Sequence, residues 1–429
     1  MHRLKIKNFG PVEDVELNIN DILIFIGSQA GGKSTISKAI YFFKSLRDEL
    51  LQLLKESTGK HQFDRLTDAF TKKIRKKFLE ILGSPTHSDP FELTYWYARD
   101  KYITLRLKES NYPEPEFSSQ LRDCLKELSE KADELLSEIL RENIPIASDR
   151  LAERTMIHNR IQKLVYRVFE DDTNHFFIPA GRMLPAILSE PFGNIELQGA
   201  DFLTRDFADR MMISKPTFSK SPDELIQDKI HLTTDSIDME SVQYAQKLMG
   251  NILKGTYRVD AEGQKIFFDN RRFTRLAYSS SGQQEVLWIV LLAFLIILNR
   301  TKSAIVFEEP EAHLYPETQR ELISLIALVT NTTASQVIIT THSPYILSSC
   351  NNLLYAHRVS KSKPEQVNAV VDQKIRLDPK KMSAYFLEKG RIRNILDEES
   401  GLIHTEAIDS ASDIINAIHY QLFRLDDER

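Results

Sequence analysis

A chain of 429 residues, 42 % hydrophobic and 27 % charged, has the composition of an ordinary globular protein with room for a large domain and an insertion. Its formal net charge of -5 excludes a global positive field for nucleic acid but leaves room for a local basic patch. The two cysteines, Cys124 and Cys350, lie far apart in sequence, which excludes a disulfide framework or a zinc cluster and fits a reducing cytosol.

The opening Met1-His2-Arg3-Leu4-Lys5-Ile6-Lys7 lacks the apolar core of a signal peptide. Residues 3–9 and 12–19 flank the turn signal Gly10-Pro11 and predict a β-hairpin. Residues 22–26 form an apolar run ending in glycine, as a buried parallel strand does, and a helical pattern covers 33–54. Residues 60–80 are helical and basic, with Lys72-Lys73-Ile74-Arg75-Lys76-Lys77. That run is either a solvated helix face or a contact for nucleic-acid phosphates. Residues 91–97 and 101–107 read as a strand pair. Leu121, Leu125, Leu128, Ala132, Leu135 and Ile139 alternate steps of four and three, a short coiled-coil seam. Pro145 breaks it, and Ile157, Ile161, Leu164 and Val168 begin a second helix. The two form an antiparallel helical hairpin over about 119–170, which either docks a partner or packs on its own head domain.

Strand character returns at 175–179 and leads into Ala180-Gly181-Arg182. Arg182 is open to two roles, a nucleotide or subunit contact and a structural salt bridge. Residues 200–254 mix helix and loop, and 256–276 read as strands around an Ala-Glu-Gly turn. A dense alternation follows: helix 281–298, strand 303–307, helix 317–329, strand 336–340, helix 343–349, strand 353–359. It predicts an α/β fold with a parallel or mixed sheet flanked by helices. The sheet-bearing head is split into 1–45 and 255–360, interrupted by a mainly helical insertion at 46–254, with 361–429 as an extension. The longest apolar run, Val286 to Leu298, is short for a bilayer and reads as a buried helix, so no membrane contact and a cytoplasmic chain are expected.

Four motifs carry chemistry. Gly27-Ser28-Gln29-Ala30-Gly31-Gly32-Lys33-Ser34-Thr35 fits the phosphate-binding loop between a strand and a helix. Its glycines let backbone N–H groups curl around phosphates at a helix N-terminus. Lys33 reaches the β/γ-phosphates and Ser34 ligates Mg²⁺. The strand 304–307 delivers Glu308 and Glu309 to its C-terminal end, one to hold the metal and one to orient or deprotonate the attacking water. Ser279-Ser280-Ser281-Gly282-Gln283-Gln284-Glu285 starts a helix, either as an N-cap or as a second anion site. The strand 336–340 leads through Thr341 to His342, which there either bonds the γ-phosphate or the catalytic carboxylate, or is structural.

In order and spacing these residues resemble ABC-type ATPases of the SMC/RecF/OLD branch. Gly27 to Thr35 resembles Walker A, and Ser280-Ser281-Gly282-Gln283 is similar to the LSGGQ signature, with serine where leucine and the first glycine often stand. Glu308-Glu309 resembles Walker B plus the catalytic glutamate, and His342 matches the switch histidine. The resemblance covers about 1–45 and 255–360. It implies ATP and Mg²⁺ clamped in a homodimer or higher homo-oligomer. Lys33, Ser34, Glu308, Glu309 and His342 come from one chain, and Ser280, Ser281, Gly282 and Gln283 from the other. The Q-loop glutamine has only Gln52 and Gln62 as candidates.

Glu308 to Pro316 looks very like the EEPEAHLHP string of OLD-like ATPases, with Tyr315 in place of the second histidine. Similar ATPases of the PtuA type, in Septu and retron-associated anti-phage systems, work with a separate nuclease or toxin. The expected function is therefore a sensor or scaffold ATPase of such a system. The alternative is a RecF/SMC-like DNA-repair ATPase that binds DNA on its own. Asp372, Glu388, Asp397 and Glu398 form no nuclease arrangement, so no nuclease activity is expected here.

Overall fold

The computed structural model describes residues 2–56, 63–85, 89–107, 112–141, 147–182, 199–232 and 237–404. Its centre is a six-stranded sheet in the order β14-β13-β3-β12-β11-β7. The members are β3 (Ile22–Gly27), β7 (Asn174–Ile178), β11 (Ser303–Glu308), β12 (Gln336–Thr341), β13 (Met382–Glu388) and β14 (Arg391–Asn394). All but β14 run parallel. The period of two in β3 explains why the run is wholly apolar. Ile22, Ile24 and Ile26 enter one hydrophobic core, and Leu23 and Phe25 enter the other, on the opposite face.

The first core is closed by helices α5 (Phe202–Ser214), α6 (Pro222–Leu232), α7 (Met239–Leu253), α8 (Ser281–Asn299), α9 (Pro316–Thr333) and α10 (Pro344–Ser360). Helix α8 is long and apolar enough to cross a membrane by composition, but most of it is buried in this core. The second core lies under α1 (Lys33–Glu56), α2 (Phe63–Leu82), α3 (Ser119–Arg141) and α4 (Ala147–Phe169). In it Leu121, Leu125, Leu128 and Ala132 of α3 meet Ile157, Ile161 and Val165 of α4. The helical hairpin thus rests on its own head. Ile139 of the seam lies where side chains are not described.

A second sheet is antiparallel, in the order β2-β1-β4-β5-β6. The expected hairpin β1 (Arg3–Phe9) and β2 (Val12–Asn18) continues into β4 (Glu92–Trp96), β5 (Tyr102–Arg106) and β6 (Glu114–Phe117). A small third sheet holds β8 (Thr256–Asp260), β9 (Gly263–Phe267) and β10 (Phe273–Arg275).

Three expectations need correction. Residues 46–254 are not set apart from the head. Strand β4 pairs with β1 along its length, and β7 forms an edge of the central sheet. A hairpin left alone would be marginal and would expose an edge, so the β1–β2 pair takes its partner from across the sequence. The strand expected at 353–359 is the second half of α10, whose buried Ile346, Leu347, Cys350, Leu353 and Leu354 follow the helical period. The sheet does not close at 360 either, since β13 from the extension lies beside β3.

Candidate active site

In a parallel sheet all strands deliver their C-terminal ends to one edge, where ligands bind. Here that edge carries the glycine loop after β3, the carboxylates at the end of β11, His342 after β12 and Arg182 after β7. The loop is tightly enclosed. Gly32 sits at φ +104, and a Cβ there would meet Val12 Cγ2 at 2.8 Å, so the β1–β2 turn fixes the loop from outside. Ala30 also takes a positive φ, of 59°. Lys33 opens α1 with its side chain buried, and its ammonium donates to Gly27 O (3.0 Å) and Ser28 O (2.8 Å). Burial lowers the Lys33 pKa, while Glu309 and Glu311 draw it back up. Ser28, Gln29 and Ser34 are exposed on the open side of the loop, and Thr35 is half-buried beside Gly10.

Glu308 is buried, and burial raises its pKa. Lys38, the Ser34 hydroxyl and the Ala180 backbone N–H act in the opposite direction. Its Oε1 has no hydrogen-bond partner. A hydroxyl touching a carboxylate, with one buried carboxylate oxygen left over, is the donor set Mg²⁺ uses beside a nucleotide. The glycine cradle and this pair both fit a Mg²⁺-nucleotide.

Glu309 follows at φ +44, a left-handed conformation costly for a residue with a side chain. Its N–H donates to Thr340 O at 2.9 Å, and its Oε1 lies 3.4 Å from His342 Nε2, with both side chains about two-fifths exposed. One carboxylate is thus sequestered at the glycine loop and the next faces solvent beside an imidazole. Such a pair suits metal binding by the first and water activation by the second.

Two residues of this edge were not singled out from sequence. Glu311 is buried, and its Oε1 accepts from Thr341 Oγ1 (2.5 Å) and His342 N (2.9 Å), tying the histidine strand to the glutamate turn. Its place three residues after Glu308 in a tight turn was the available signal. Lys38, one turn after Ser34 on α1, supplies positive charge to Glu308.

Ser280 caps α8 in a reciprocal capping box: its Oγ accepts from Gln283 N at 3.3 Å, and Gln283 Oε1 accepts from Ser280 N at 3.2 Å. The capping role is therefore present. Gly282 presses against the glutamate turn, since a Cβ there would meet His313 O at 2.6 Å. Ser280 is exposed and Ser281 half-buried, so this helix tip faces outward.

Arg182 has the structural role, in a form broader than one salt bridge. It is fully buried and bonds five backbone carbonyls around the site. Three cations of the basic run on α2 form ion pairs within the chain, and Lys72 is exposed. Lys73 and Lys77 pair with Glu49 of α1, and Lys76 with Glu80. Gln52 lies nineteen residues after Lys33 on one helix, roughly 28 Å at 1.5 Å per residue, too far to reach a phosphate held at Lys33. Gln62 lies outside the described residues. Among the described residues no group of three or more His, Cys, Asp or Glu side chains has metal-binding geometry.

The family profile of the AAA ATPase domain matches residues 1–177 and 187–347, most of the chain. The chain belongs to the AAA ATPase domain family. The match includes much of 46–254, in keeping with the strands that segment gives to the sheets. Membership implies a nucleotide-binding domain of the ATPase type.

Among solved structures, the SMC head bound to the C-winged helix domain of ScpA is similar at a TM-score of 0.43 and 13 % identity, covering 92 % of this chain and 97 % of that one. The SMC head domain from Thermotoga maritima gives 0.35 at 11 %, with the same coverages, 92 % and 97 %. The recombination mediator protein RecF-ATPrS of the RecFOR pathway gives 0.35 at 10 %, again covering 92 % and 97 %. No curated protein matches the sequence.

Proposed function

We propose that this chain binds Mg²⁺-ATP and hydrolyses it to ADP and phosphate in a site completed by the serine-rich helix tip of a second copy. The observation that carries this is the convergence of Lys33, the Ser34–Glu308 contact and the Glu309–His342 pair on one sheet edge. Lys33 exchanges the carbonyls of Gly27 and Ser28 for the β- and γ-phosphate oxygens. Ser34 and Glu308 hold Mg²⁺, which neutralises phosphate charge. Glu309 orients the attacking water and takes its proton on the carboxylate. His342, 3.4 Å away, keeps that carboxylate in place and donates to the γ-phosphate. Ser280, Ser281, Gly282 and Gln283 of the other copy close the phosphate from the far side, with the positive end of a helix behind them.

The test uses two variants. Lys33→Ala should abolish ATP binding in calorimetry. Ser280→Arg should keep single-site ATP binding and lose both ATP-dependent dimerisation and turnover. Full turnover in Ser280→Arg would overturn the composite site.

For the biological role, we favour a sensor or scaffold ATPase of an anti-phage system that acts with a separate nuclease or toxin. The likeness of Glu308–Pro316 to the OLD-like string supports it. The pairing of Lys73, Lys76 and Lys77 with glutamates weakens the DNA-binding alternative, because that run was its main basis. Affinity purification of Glu309→Gln with its genomic neighbours should recover a stoichiometric effector. A preparation coated with DNA and free of neighbours would favour the repair reading.

A further inference from the structure

In a composite-site dimer each chain serves both sites. Its glycine loop and Glu309 serve one, and its α8 tip serves the other. Something within the chain has to decide whether the two are independent, and Arg182 lies where the two halves meet.

Arg182 is fully buried and its guanidinium is completely used. Nη1 donates to Glu308 O (3.0 Å) and Pro179 O (3.3 Å), and Nη2 to Glu309 O (3.0 Å) and Pro310 O (3.3 Å). Three consecutive carbonyls of the catalytic turn thus hang on one side chain. Its Nε donates to Glu285 O at 3.1 Å, and Nη2 lies 3.5 Å from Glu285 Oε2. Glu285 stands in the second turn of α8, and its other oxygen, Oε1, lies 3.4 Å from His313 Nε2. Gly282 touches the backbone of His313 directly. The α8 tip and the Glu308–His313 turn are therefore joined at three points, and the turn contains two residues at positive φ, Glu309 and His313. A turn held in that conformation by a neighbour moves when the neighbour moves.

We propose that Arg182 is a positioning residue that couples the two ATP sites of the dimer: engagement of the α8 tip at one site sets the geometry of Glu309 at the other. The proposal rests on the composite site above. A planar fork bonding carbonyls on two sides is not replaceable by an ammonium, so charge alone does not suffice.

The first experiment compares Arg182→Lys with the parent in the full-length protein. The single-turnover rate per bound ATP should fall about 10²-fold, as for a slightly misplaced catalytic group. ATP affinity should stay within about threefold. A role limited to neutralising Glu285 predicts that lysine restores the rate, and that result would overturn the proposal. If Arg182→Lys does not fold, as judged by ATP-binding stoichiometry, Glu285→Gln replaces it, with the same expectation.

The second experiment needs no change at Arg182. Mixed dimers pair a parent chain with a Ser280→Arg chain, which leaves one intact site. Independent sites retain about half the parental rate; coupled sites retain under about a tenth, because the working Glu309 belongs to the chain whose own tip is disengaged. In the Arg182→Lys background the mixed dimer should retain half the rate of its own homodimer. A mixed dimer at half the parental rate refutes coupling alone. Fully active Ser280→Arg homodimers refute the composite site itself.

Discussion

Changing Gly27 to alanine tests whether the C-terminal strand β13 is built against the phosphate loop. A Cβ on Gly27 would stand 2.1 Å from Leu387 O and 3.0 Å from Leu387 C and N. These are backbone atoms of the neighbouring strand, paired in register with Gly27, so no side chain can swing away. Reaching ordinary contact requires the strand ends to part by about 1.3 Å or more, an overpacking that costs about 1–3 kcal/mol. Gly27 also has φ +152, where an L side chain is strained, adding about 1–3 kcal/mol. The sum, about 2–6 kcal/mol, corresponds to roughly 0.7–2 M in the urea midpoint at a slope near 3 kcal/mol/M. Urea unfolding followed by circular dichroism measures it, with calorimetric ATP titration of the folded fraction alongside. Gly250, inside α7 with nothing within 4 Å of its would-be Cβ, is the control. Gly250→Ala should stabilise by about 0.5–1 kcal/mol. A Gly27→Ala protein with the parental midpoint and ATP affinity would show that β13 does not wall the loop.

Three further outcomes follow. Asp171 accepts from buried Lys44 at 2.8 Å and from His175 Nε2 at 3.2 Å, so Asp171→Asn should cost about 3–5 kcal/mol in urea unfolding by stranding the lysine. Burial alone would raise the Asp171 pKa, but Lys44 and His175 hold it far below the usual carboxylate range. That stability is present above the unfolded pKa, near 4, and is lost as pH falls below it. Burial, with Lys44 nearby, lowers His2 to about 3, and its ring bonds Tyr95 OH at 2.8 Å and Glu170 O at 3.3 Å. The unfolded chain takes up this proton below about pH 6.5, so the parent should lose stability between 6.5 and 3. His2→Phe should flatten that part of a denaturation-versus-pH profile. Glu309→Gln should bind ATP normally and turn over about 10²- to 10⁴-fold more slowly, leaving an ATP-bound dimer visible by light scattering.

The parts of the site were legible because they are local. The strands β3 and β11, buried on both faces, read as unbroken apolar runs, and each ends in residues of the candidate site. Partnership between strands was not legible. The sequence marks 91–97 and 101–107 as strands, but nothing local says that Leu93 lies opposite Ile6. For the same reason Leu387 was invisible as the wall of the glycine loop. The stretch at 353–359 is apolar enough for either strand or helix, and only the period carried over from Ile346 decides for helix.

Charge misleads in a related way. Lys72 to Lys77 looks like a patch for phosphates until α2 is laid against α1 and Glu49 takes two of its lysines. The sequence left Arg182 between two roles, and its partners were invisible because they are backbone carbonyls, which every residue carries. Both cases have one cause. A parallel sheet gathers its chemistry by strand order, and strand order is set by long-range pairing. The distance in sequence between Lys33 and Glu308 therefore says little about their distance in the fold. What the sheet requires is that each intervening segment return its chain to the next strand in the right direction. The stretch between β3 and β11 satisfies this while adding β7 to the edge, and with β7 comes the arginine that holds the Glu308–Pro310 turn.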